Sequence, residues 1–100
     1  MIERYVFLKL NAAHATPDGR RAVAAETRAR LASLPGVRDL RVGLPADERA
    51  AEAWDVSIVV AFDDLDAVEP YRVHPTHRAY VDDYLRPMLA SIAAWNFEIP

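Results

Sequence analysis

The stretch Arg4-Tyr-Val-Phe-Leu-Lys-Leu10 has no polar side: Val6, Leu8 and Leu10 fall on one face of an extended chain, and Tyr5 and Phe7 on the other. Side chains along a strand point alternately to opposite faces, so residues 2 to 10 need apolar cover on both. Helices packed on a sheet supply one cover. Something else must supply the second.

The segments that follow read as the first cover and its sheet. Thr16 is placed to cap a helix opening at Pro17, since its oxygen accepts a free amide hydrogen while proline has none to lose. Val23, Thr27, Leu31 and Leu34 form the helix stripe, and Pro35-Gly36 ends it. Val37 to Leu44 alternates again, with Leu40, Val42 and Leu44 against Asp39, Arg41 and Gly43. Residues 45 to 53 are polar and Ala-rich, a surface loop with room for a helical turn. Trp54 to Phe62 is rich in β-branched residues, with Val56, Ile58, Val60 and Phe62 expected on the same face as Trp54, and Asp55 and Ser57 facing the other way.

Asp63 or Asp64 is suited to cap a short helix reaching Tyr71, and His74-Pro75 starts another. His77, Tyr80, Val81, Tyr84 and Leu85 fall at three- and four-residue spacings, which predicts one shared helix face. Pro87 breaks or kinks that helix. Ile92 to Ile99 returns to extended character, with Trp95, Phe97 and Ile99 alternating against Asn96 and Glu98. The order βαββαβ predicts an α+β, ferredoxin-like fold: a four-stranded antiparallel sheet with helices on one face. Its other face carries too many apolar residues to stand in water, so a partner sheet, making a homodimer, is the economical cover.

Composition narrows the function classes. The chain has 100 residues, 52% of them hydrophobic, the size of one domain with one modest core. Twelve basic residues against fifteen acidic ones give a net charge of −3 with no run of like charge, which argues against nucleic-acid binding. The absence of cysteine excludes disulfides, thiolate nucleophiles and cysteine-ligated zinc. No apolar stretch approaches the roughly 20 residues that span a bilayer, so no membrane association is expected and a cytoplasmic location is the default. There is no Gly-rich phosphate loop, Walker signature or nucleophile elbow, and hence no support for phosphoryl transfer or serine hydrolysis.

Chemistry concentrates in Tyr71-Arg-Val-His-Pro-Thr-His77 and the following Arg-Ala-Tyr80-Val-Asp-Asp-Tyr84. This run holds two of the three histidines and three of the four tyrosines. Imidazole exchanges protons near neutrality, and a phenol can hold or relay such a proton. A metal is not expected: His74 and His77 stand near Asp82 and Asp83, but Pro75 fixes the turn and no third ligand has a convincing spacing. His14, in a turn beside Thr16-Pro17, is expected to be solvated.

The whole pattern resembles the stress-responsive A/B barrel (Dabb) domain family of the dimeric α+β barrel superfamily. The pieces that carry the resemblance are the opening Arg4 to Leu10 strand, Leu34-Pro-Gly-Val37, Val42-Gly43, Asp55 to Phe62, Tyr71 with His74-Pro-Thr-His77, and the closing Trp95-Asn-Phe-Glu-Ile99. The tyrosine followed by His-Pro-x-His is the specific part. The resemblance implies one Dabb-type domain over residues 1–100, with two sheets pairing across a two-fold axis into a dimeric α+β barrel. It does not imply one activity.

Some members resemble or act as polyketide cyclases, cofactor-independent enzymes in which the second histidine of the motif is the general base, partnered by the tyrosine a few residues ahead. Carried over by position, those roles fall on His77 and Tyr71. The plant cyclase carries further histidines on its first and third strands, where this sequence has Arg4 and Tyr5, and Asp55 and Val56. Three expectations result: a homodimer binding a small apolar or aromatic molecule between sheet and helices, a cyclase-like lyase, or a structural stress-associated dimer without turnover. Ligand contacts are expected from His74, Tyr80, Tyr84, Arg4 and Tyr5, with no cofactor. His74 is expected to cap the helix as well, Tyr80 and Tyr84 to serve core packing, and Arg4 and Lys9 to sit at a sheet edge, although either cation could instead attract an anionic ligand.

Overall fold

A computed structural model describes residues 1–100. Four strands, β1 (Ile2–Leu10), β2 (Asp39–Gly43), β3 (Val56–Phe62) and β4 (Leu89–Glu98), form one antiparallel sheet in the order β2-β3-β1-β4. Helices α1 (Pro17–Leu31), α2 (Glu48–Ala53), α3 (Val68–Val73) and α4 (Pro75–Ala79) complete the βαββαβ order, α2 and α3 being short additions. None of them is long and apolar enough to cross a membrane.

Capping places the helices where the local chemistry directs. Thr16 is extended and its Oγ1 accepts the Gly19 amide at 3.0 Å, with Pro17 opening α1. Asp47 and Asp64 cap the next two turns through the amides of Ala50 and Ala67. Gly36 takes φ +87°, the left-handed region that a side chain disfavours, and so turns the chain from α1 toward β2.

The core lies between the sheet and α1, α3 and α4. It joins Leu8, Leu10, Val56, Ile58, Val60 and Phe62 of the strands to Val23, Leu31, Val68, Tyr71, Tyr80 and Leu85 of the helical layer. Burying such side chains is worth about 1.5–3 kcal/mol each. Thr27, wholly buried on α1, donates to the Val23 carbonyl at 2.7 Å. Its one proton being used there, the Tyr80 hydroxyl must be the donor in the 2.5 Å bond that ties α1 to the segment after α4.

The opposite face has no cover within the chain. Tyr5 packs edge-on against Phe97 with ring centroids 5.7 Å apart, and Phe7 lies between Trp54 and Trp95 at 5.7 and 6.4 Å. Trp95 and Phe97 each remain 54% exposed. At the rim of this face Glu3 accepts from the Tyr5 hydroxyl at 2.6 Å and from Arg41 at 3.3 Å.

Several expectations need correction. Strand β2 is shorter than Val37 to Leu44, and β4 begins at Leu89, three residues before Ile92. Trp54 and Asp55 precede β3 rather than belong to it, and their directions are the reverse of the strand alternation. Trp54 reaches Phe7 on the open face, while Asp55 is wholly buried. Its carboxylate accepts the Leu10 amide at 2.7 Å and the Arg20 Nε at 2.9 Å, with Lys9 at 3.8 Å. These hydrogen bonds outweigh the alternation because they satisfy a charge that burial would otherwise penalise by several kcal/mol.

Lys9 is not simply a sheet-edge cation. Its Nζ also donates to the Ala51 and Glu52 carbonyls at the end of α2, a favourable place for positive charge. Arg4 is not at an edge either, since β1 is central and Arg4 pairs with Val60 on one side and Asn96 on the other.

Candidate functional site

A cavity of about 200 Å³ opens between the β1–β4 side of the sheet and the helical layer. Arg4 and Val6 line it from β1, Leu31 from α1, and Tyr71, His77 and Tyr80 from the helical segment that carries the motif. The local sequence sets this geometry. His74, held extended before Pro75, turns its Nδ1 back to accept the Thr76 amide at 3.1 Å, so α4 restarts at an angle to α3. That break lets Tyr71 at the end of α3 and His77 on α4 face each other.

Their contact is ring against ring, with centroids 4.5 Å apart and planes inclined by 58°, and Phe62 packs edge-on behind Tyr71 at 5.1 Å. His77 Nδ1 is buried and has no hydrogen-bond partner. Beyond α4 the chain widens to a π-helical turn over Tyr80–Leu85 and a 3₁₀ turn at Arg86–Met88, where Pro87 cannot continue the helix. The wider turn changes the shared face read from the spacing. Tyr80 and Leu85, five apart, are both buried, while Tyr84 lies outside the cavity, stacked on Tyr80 at 5.9 Å with Arg30 over its ring.

Of the residues expected to meet a ligand, Arg4, Tyr71, His77 and Tyr80 are brought together. Tyr5 belongs to the other face of the sheet, His74 is committed to its cap, and Tyr84 is on the far side of Tyr80. Arg72, Val81, Ile92 and Ala94 also line the cavity and were not anticipated. Ala94 comes to the cavity through the β1–β4 register, which sets it opposite Val6 and which no local sequence signal gives.

Electrostatics hold the site in a defined protonation state. Burial lowers the His77 pKa below the ordinary 6.5, helped by Arg4, Arg72 and Arg78 and opposed by the Arg72 backbone, so the imidazole is neutral at pH 7. Burial pushes the Tyr71 phenol up to about 12, and raises Tyr80 further, so both remain hydrogen-bond donors.

A pH prediction follows from the lowered His77 pKa. Below pH 6.5 the unfolded chain takes up a proton that the folded state resists, so stability contributed by neutral His77 is present above 6.5 and lost as pH falls through the folded value. Chemical denaturation at pH 7 and pH 5 should show this loss in the native protein and a smaller one in His77→Gln. Identical losses in both would assign the acid sensitivity elsewhere.

A four-stranded antiparallel sheet in this order, with helices on one side and a histidine–tyrosine cavity beneath them, defines a ferredoxin-like α+β protein. The sequence profile of the Stress responsive A/B Barrel Domain, Dabb, matches residues 2–99, and the chain belongs to that family. Among solved structures, a dimeric ferredoxin-like protein of unknown function from Thermobifida fusca is similar, with a TM-score of 0.81 and 28% identity over 98% of this chain and 90% of that one. A dimeric protein of unknown function and ferredoxin-like fold from Bacteroides fragilis has a TM-score of 0.78 at 25% identity, covering 98% of this chain and 95% of that one. The hydroxynitrile lyase of Passiflora edulis shares the fold with a TM-score of 0.77 at 11% identity, covering 99% and 93%. No curated protein sequence shows significant similarity to the chain.

Proposed function

We propose that this Dabb protein is a homodimer, paired through its open sheet faces into an α+β barrel, that binds a small, largely apolar or aromatic molecule beside Tyr71 and His77. The observation that carries the ligand reading is His77, which lines a mostly apolar cavity while its Nδ1 lies buried without a partner. Buried polar groups are nearly always hydrogen-bonded, and a bound molecule would satisfy this one. Pairing of the sheets is supported by the exposed Trp95, Phe97 and Ile99, and by the dimeric relatives from Thermobifida and Bacteroides.

A second reading, a cyclase-like lyase, is favoured by the protonation states. A neutral imidazole can take a proton from carbon next to a carbonyl, and a phenol still protonated at pH 7 can donate to the resulting enolate oxygen. His77 would be the base and Tyr71 the donor.

Linear polyketide mimics and small aromatic carbonyl compounds, screened by thermal shift, test the two together, because a ligand raises apparent stability by mass action. Ligands that stabilise the native protein should stabilise His77→Ala less. If one is also turned over, His77→Ala should reduce the rate by about 10²–10⁴-fold with the fold intact. Binding without turnover keeps the binding reading and removes the lyase. Equal binding and equal rates in native protein and variant would remove both.

A further inference from the structure

Arg4 is an unusual residue to find in this cavity. It lies on a central strand, half-buried, and its guanidinium makes one side-chain hydrogen bond, Nη1 to Asn96 Oδ1 at 3.0 Å, although such a group offers five N–H donors. No carboxylate lies within ion-pair distance of it. Arg28 and Arg49 also lack a carboxylate partner, but both are exposed to water. Arg4 is thus the one half-buried arginine with no carboxylate within ion-pair distance, its bond to Asn96 lying at the exposed end of the side chain.

The remaining walls do not compensate it. No aspartate or glutamate lines the cavity, and the other cation there, Arg72, is held by Glu69 at 2.8 Å. His77, Tyr71 and Tyr80 carry no charge at pH 7. The cavity therefore presents one positive charge without an ion-pair partner beside an apolar lining of Val6, Leu31, Leu85 and Ile92. Burial and the proximity of Arg72 act against the Arg4 charge, and Glu69 and Tyr71 offset them only in part, so an anion bonded to the guanidinium would favour the charged form further.

Resting on the ligand-binding reading above, we infer that the molecule this cavity takes is a small monoanionic carboxylic acid, its carboxylate bonded to the Arg4 guanidinium and its apolar or aromatic body packed against Leu31, Tyr80 and Leu85. A planar guanidinium matches a carboxylate with two parallel hydrogen bonds, which fixes orientation as well as affinity. Size sets a limit on the body. An apolar cavity of about 150 Å³ suffices for benzene, so one of 200 Å³ suits a single ring, or a short chain, with one small substituent. Arg4 is then a specificity residue: it selects acids over neutral molecules of the same shape.

The test compares phenylacetate with phenylacetamide, equal in shape and different in charge, by calorimetric titration of the full chain at pH 7. Phenylacetate should bind the native protein at least about tenfold more tightly than the amide, as a charge-assisted pair demands. In Arg4→Gln that preference should vanish through loss of acid binding, and in Arg4→Lys a part of it should return. Equal binding of acid and amide to the native protein would overturn the inference and leave the cavity reading standing. A preference for the acid that survives in Arg4→Gln would also overturn it. Binding of neither probe would remove the cavity reading and the inference with it. The native-protein comparison decides the charge preference even if Arg4→Gln folds poorly, and Arg4→Lys then decides the residue.

Discussion

Asp55→Ala should lower the free energy of unfolding by about 3–5 kcal/mol, the usual cost of removing one partner from a buried ion pair. Asp55 is wholly buried, and the side chain of Arg20, which bonds it at 2.9 Å, is only 20% exposed. Truncation leaves the Arg20 guanidinium and the Leu10 amide without their acceptor, each in a place water cannot readily reach. The same carboxylate holds the end of β1 to the beginning of α1, so the loss spreads to the junction of sheet and helix. Set against the 5–15 kcal/mol that typically holds a domain together, the change is large. Asp55→Asn, which retains an acceptor for the Leu10 amide but not the charge, should cost less. Urea denaturation of the three proteins checks the order; an Asp55→Ala midpoint equal to the native one would show that the cluster is energetically idle.

Val59→Glu should convert the proposed dimer to monomers. Val59 lies on the open face of β3, opposite Tyr5 on one side and Arg41 on the other. Pairing of two open faces would enclose the new carboxylate in an apolar layer, at a cost of several kcal/mol in each subunit, and every 1.4 kcal/mol is tenfold in dissociation constant. A shift of at least about 10²-fold is expected. Arg41 is a route of escape, because a glutamate at 59 lies within cross-strand reach of it, although Glu3 already holds that guanidinium. Val59→Lys closes this route by setting like charges opposite each other, and should dissociate the dimer at least as completely. Light scattering reads the outcome directly: twice the 11.2 kDa chain mass for the native protein and one chain mass for the variants, with far-ultraviolet dichroism unchanged. A native protein that is monomeric at micromolar concentration would remove the paired-sheet reading altogether.

Much of the fold was legible because its signals are local. The Thr16-Pro17 start of α1, the stripe of Val23, Thr27 and Leu31, and the Asp64 cap all arise from residues a few positions apart. Strand alternation did the same for β1, where Val6 and Leu8 part from Tyr5 and Phe7. The errors gathered where that regularity stops. Alternation alone extends β3 back over Trp54 and Asp55, but the chain leaves α2 there, and each side chain goes where it finds a partner. Spacing by three and four likewise could not foresee the π-helical turn that buries Tyr80 and Leu85 together and leaves Tyr84 outside.

For the site, sequence alone determined the cluster Tyr71, His74 and His77, the cap made by His74, and the surplus of apolar side chains on a sheet that helices cover only once. These depend on neighbouring residues and on the two-residue period of a strand. Tertiary structure alone decided that the Arg4 face of β1, and not the Tyr5 face, shares a cavity with His77. It alone closed Asp55 onto Leu10, 45 positions distant. Both outcomes depend on which strands pair and in what register, and on which helix crosses above them. Register is set by the sum of many weak contacts across the layers, a sum that no short stretch of sequence contains.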